Sequence, residues 1–140
     1  MKEQVLMRVM AQLLAPFILL FGIYVIMHGE LGPGGGFQGG VIIASAYILY
    51  SLVFGSDAGE RVFPARVSDP LNSLGVLLYA SVGVVAMVLG GAYLDYDLLN
   101  AANPPAGQAL GIMLVELGVG ITVSAVMVTL FNELARAKRP

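Results

Sequence analysis

From Val9 to Met27 the chain runs for 19 residues without a charged side chain. At 1.5 Å per helical residue that run reaches roughly 28 Å, about one hydrocarbon core. Three more apolar runs follow: Phe37 to Phe54, Leu71 to Tyr93 and Gly107 to Phe131. A soluble four-helix bundle would need a polar face on each helix, and these runs have none. Hydrophobic residues make up 58% of the chain and charged residues 11%, against roughly 25% charged in soluble domains. The expected fold is all-α: one integral membrane domain over residues 1–140 with four transmembrane helices, at about 9–27, 37–54, 71–93 and 107–131. The N-terminus does not resemble a signal peptide, because its apolar run is too long and no small-residue cleavage site follows it.

The connections carry turn and charge signals. In GSDAGERVFPARVSDP (residues 55–70), Ser68 or Asp69 could cap the third helix, with Pro70 in its first turn. Pro104 and Pro105 suit the start of the fourth helix, where missing N–H groups are tolerated. All seven basic residues fall on one side. Lys2 and Arg8 precede span one, Arg61 and Arg66 lie between spans two and three, and Arg136, Lys138 and Arg139 follow span four. The other two loops hold Glu30, Asp95 and Asp97 instead. Segregation of this kind in short loops predicts that both termini are cytoplasmic.

Composition also narrows the chemistry. Cysteine is absent, which excludes disulfides, thiolate metal sites and thiol nucleophiles. A single histidine cannot make a bis-histidine haem site. The net charge of −2 and the lack of a basic stripe argue against nucleic acid. No HExxH, nucleophile elbow or credible triad occurs, so no enzyme, catalytic residue, cofactor or metal is expected.

The loop from His28 to Gly40, HGELGPGGGFQGG, is too glycine-rich to be a plain connector. Pro33, Gly34, Gly35 and Gly36 break the helix, and Gly39 and Gly40 leave the first turn of span two nearly bare. Non-helical backbone near a bilayer persists only where protein buries it or water reaches it. The loop reads either as a tight turn or as a close-packing site for a neighbouring polypeptide. In the second reading Phe37 is an anchor and Gln38 a hydrogen-bonding tip. It lacks the Lys-Ser/Thr ending of a phosphate-binding loop, and no strand precedes it.

Glu116 falls near the middle of span four, where a carboxylate is costly, about 3 kcal/mol on insertion scales. No lysine or arginine lies within any span to offset it. The residue is either on a proton or sodium path or a neutral glutamic acid that joins helices. Gly120 and Ser124 share its face. His28, at a span end, is either a satisfied interfacial histidine or a proton-loading group. Gln12 reads as a helix-joining residue. The ion-pathway candidates are thus Glu116, His28 and Ser124.

The stretch HGELGPGGGFQGGVI resembles the signature of the MnhB/MrpB family, one of the component families of the Mrp-type multisubunit sodium/proton antiporters, in which HGH-x-x-PGGGFQGG is typical. Glu30 stands where a second histidine is common, so any role of that histidine does not carry over. The length, the four spans and the motif's place between spans one and two also match. The resemblance implies a non-catalytic subunit of a hetero-oligomeric complex in the cell membrane, set in the lipid bilayer, with Na+ and H+ as the transported ions. Similar modules occur in membrane-bound hydrogenase and sulfane-reductase complexes, so an accessory role in a redox-linked ion pump is the alternative. A self-associating channel is a further one. Four spans with no internal repeat are too few for a complete alternating-access transporter, so other antiporter subunits are expected as partners.

Overall fold

The structure, a computed structural model, describes residues 2–29 and 32–137. Glu30, Lys138 and Arg139, used in the charge reading, lie outside the described residues. Four long helices are α1 (Lys2–Met27), α2 (Gly36–Phe54), α4 (Ala65–Val88) and α5 (Pro104–Ala137). A seven-residue helix, α3 (Ser56–Val62), and a 3-10 helix (Tyr96–Asn100) fill two of the connections. All four long helices are long and apolar enough to cross a membrane. They stand in a row, α1–α2–α5–α4, with α2 and α5 in the middle.

Small residues hold the row together. A Cβ on Gly39 of α2 would stand 2.7 Å from the carbonyl oxygen of Gly22 in α1. A Cβ on Gly40 would come within 2.8 Å of the Gly120 carbonyl, and one on Gly75 within 2.7 Å of the Gly118 carbonyl. Three successive interfaces are therefore backbone-on-backbone contacts, possible only without side chains. The buried apolar residues are mostly alanines, among them Ala11, Ala44, Ala46, Ala86 and Ala125. Phe17, Leu20 and Leu77 each remain more than 60% exposed. Small inside and bulky outside is the arrangement expected when lipid is the solvent, since apolar side chains then gain nothing by hiding.

The third span differs from its sequence-derived bounds at both ends. It begins at Ala65 rather than Leu71, with Pro64 in extended conformation before it. Ser68 and Asp69 do not cap it. Both lie inside the helix, and the Ser68 hydroxyl donates back to the Ala65 carbonyl at 3.3 Å. Pro70 is likewise internal and removes only one backbone bond, to Arg66. The far end stops at Val88, and Tyr93 falls outside it. Gly90, at φ +95°, lets the Gly90 and Gly91 N–H groups donate to Met87 and Ala86, which closes the helix in a Schellman turn.

α5 is the longest element at 34 residues, and its first turns carry a lid. The Tyr96 ring covers Gly111, Gly107 lies against the Tyr96 and Asp97 carbonyls, and Gln108 donates to Asp97 at 2.9 Å. Burial pushes the Tyr96 phenol above the ordinary tyrosine pKa, and neighbouring Tyr93 adds to the shift. At the other end Arg136 ties α5 to α3 through Glu60 at 3.1 Å and meets Glu133 at 3.0 Å.

Candidate functional site at the glycine loop and Glu116

The glycine loop folds back onto its own chain. The Gly35 N–H donates to the Val25 carbonyl of α1 at 3.2 Å, and Gly32 donates to His28 at 3.2 Å. Gly35 is buried at φ +140°, a backbone region that side chains rarely adopt. Gly34 sits so close to α1 that a Cβ would stand 2.7 Å from the Val25 carbonyl oxygen. Gly36 is pressed against the backbone of Glu116 in α5, and Gly39 and Gly40 contact α1 and α5 as described. Five of the eight loop residues singled out in the sequence therefore face this chain's own helices. Pro33, Phe37 and Gln38 remain exposed, and Phe37 is 63% accessible. Those three form the part of the loop that a neighbour can touch.

Glu116 and the loop form one site, a juxtaposition the sequence did not disclose. The Glu116 carboxylate lies against Gly29, and its Oε1 is 3.6 Å from where a Gly35 Cβ would stand. Gly36 is the first residue of α2, so the positive end of that helix meets Glu116. A helix N-terminus suits a carboxylate.

Glu116 lies near the middle of α5 but not of its neighbours. Twelve residues of α5 precede it, roughly 18 Å of helix, yet it is level with the end of α1 and the start of α2. α5 continues well past those helices on the loop side. The residue thus lies at the rim of the α1–α2 pair rather than midway along it.

Of the other two pathway candidates, His28 adjoins Gly29, against which the carboxylate lies, and Ser124 is farther along α5. His28 is half-buried and stacks on Tyr24, with ring centroids 5.1 Å apart. Ser124 lies two turns from Glu116 along α5 and donates to the Ile121 carbonyl at 3.0 Å. It borders a cavity of about 130 Å³ lined also by Ile26, Ile43, Leu117 and Gly120. Among the described residues, no three histidine, aspartate or glutamate side chains gather to hold a metal.

These features define a polytopic helical membrane protein built by close glycine packing, with an acidic residue held under a glycine loop. A family model described as "Domain related to MnhB subunit of Na+/H+ antiporter" matches residues 6–129. A Staphylococcus haemolyticus protein named "Putative antiporter subunit mnhB2" is 33% identical over 141 residues, 99% of each chain. Its namesake from Staphylococcus aureus strain Newman is 33% identical over 138 residues, 96% of this chain and 97% of the relative. An uncharacterized protein of Methanocaldococcus jannaschii is 42% identical over 77 residues, which are 55% of this chain and 29% of that longer protein. The chain belongs to the MnhB family.

Proposed function

We propose that this chain is a non-catalytic membrane subunit of a multisubunit Na+/H+ antiporter, with both termini cytoplasmic and Glu116 on the ion route. Family membership and full-length similarity to proteins named as antiporter subunits support the first part. The segregation of basic residues supports the orientation. The placement of the Glu116 carboxylate under the glycine loop, at the positive end of α2, supports the last.

A carboxylate at that position is chemically suited to exchange a proton or attract a cation. Pro33, Phe37 and Gln38 face outward and are the contact points for another subunit, while lipid surrounds the bulky apolar faces.

The test is cation/proton exchange in membrane vesicles carrying the whole complex. Glu116→Gln and Glu116→Ala should lower exchange while the complex still assembles. Full exchange in both variants would leave Glu116 a purely structural residue.

A further inference from the structure

At the end of the bundle opposite the glycine loop lies a second polar cluster. The Tyr47 hydroxyl of α2 donates to Asn132 Oδ1 of α5 at 2.9 Å. Ser51, one turn beyond Tyr47, is 2% exposed, and so is Asn132. Both contain an unpaired polar atom, Ser51 Oγ and Asn132 Nδ2. α3 closes over them. A Cβ on Gly59 would collide with Ser51 Oγ and stand 3.1 Å from the Tyr47 hydroxyl, so the two hydroxyls converge beneath that glycine.

Buried groups of this kind are ordinarily satisfied by protein or ordered water. Asn132 Oδ1 already accepts from Tyr47, so the unpaired atom of that amide is a donor. A cation cannot accept from an N–H, whereas water accepts from the amide and bonds to a hydroxyl at once. Three polar partners are enough to hold one water molecule.

The same cluster lies at the end of a row of mostly small or polar residues on α5. Glu116, Gly120, Ser124, Val128 and Asn132 recur every fourth residue, a spacing that turns about 40° at each step, so the row winds around α5 as it descends roughly 24 Å. The cavity beside Gly120 shares Ser124 and Ile43 in its lining with a second one of about 290 Å³. That second cavity is bordered by Val128 and Tyr47. The two cavities thus lie in the stretch between Gly120, one turn from Glu116, and Tyr47 of the polar cluster.

We propose that Tyr47, Ser51 and Asn132 bind a buried water molecule, and that this hydrated node is the inner end of the ion route that starts at Glu116. The second half of the statement rests on the Glu116 reading above; the first does not.

A map of the assembled complex fine enough to show ordered water tests the binding site. A peak within hydrogen-bond distance of Ser51 Oγ and Asn132 Nδ2 is expected. Well-ordered side chains with no peak would overturn the site, as would a peak that strengthens when Na+ is exchanged for Tl+. The combined variant Ser51→Ala, Tyr47→Phe, Asn132→Leu removes all partners together, so no polar group is stranded. It should lose the peak and lower exchange several-fold in a complex that still assembles. Where it does not assemble, Ser51→Ala alone gives the same two readouts. Loss of the peak with undiminished exchange would separate the water from the route. Undiminished exchange in Glu116→Gln with the peak retained would instead remove Glu116 and leave the water site standing.

Discussion

Gly36 rests on Glu116 backbone to backbone: a Cβ at Gly36 would overlap the Glu116 carbonyl oxygen and stand 2.9 Å from its carbonyl carbon. No flexible side chain is there to yield. Gly36→Ala must therefore shift α2 from α5, at a cost of about 1–3 kcal/mol, the usual range for overpacking. The check is thermal unfolding in mild detergent, with Gly55→Ala as the control. Gly55 has open space around it, so that variant reports only the strain of a positive φ. Equal losses in the two variants would contradict the close contact.

Assembly depends on a different side of the same loop. Gly35→Leu should damage this chain's own fold before any partner is involved, because Gly35 is buried at φ +140°. Phe37→Ala is the informative change, since Phe37 is exposed at the start of α2. The variant chain should unfold at the normal temperature yet co-purify with less of the other subunits. Undiminished co-purification would show that Phe37 faces lipid.

Tyr47→Phe leaves the Asn132 amide without the hydroxyl that now donates to its oxygen. A neutral hydrogen bond contributes about 1 kcal/mol net, with more lost where the remaining partner is stranded in a buried place. Unfolding should therefore move to lower temperature, and Tyr50→Phe, whose ring stacks on Phe54, should change little. Identical unfolding of the two variants would sink the assignment.

Alkaline sensitivity follows from Tyr96. Its folded pKa is raised by burial above the ordinary value of 10.0, so above that pH the unfolded chain loses this proton first. The folded state then binds more protons than the unfolded one, and stability falls as pH rises through the interval between the two values. Below pH 10.0 this contribution is constant. Comparing unfolding of Tyr96→Phe and the natural chain across roughly pH 9 to 11 isolates the effect, and a parallel pH dependence would contradict it.

The four spans were legible because lipid imposes a length and a composition that few other environments demand. The glycine loop was legible as something more than a connector. Its pairing with Glu116 was not, because the two are distant in the chain and no periodicity links them. α3 was hidden in a polar loop, being too short to show a helical face. The Ser-Asp-Pro sequence at 68–70 resembles a helix start closely enough to mask the true one at Ala65. Asn132 reads as the first residue of a charged tail, NELARAKRP, yet packing against Tyr47 buries it. Local pattern reveals how a segment meets its solvent; only the assembled row reveals which small residues face which polar ones.

The uneven heights of the helices have an electrical consequence. α5 rises past the α1–α2 pair on the loop side, so Glu116 stands where the shorter pair of helices ends. From there to Asn132 is roughly 24 Å of α5, most of the thickness of a hydrocarbon core. A charge carried between those two positions would do work against a large share of the membrane voltage, of which the whole is about 2.3 kcal/mol for each 100 mV.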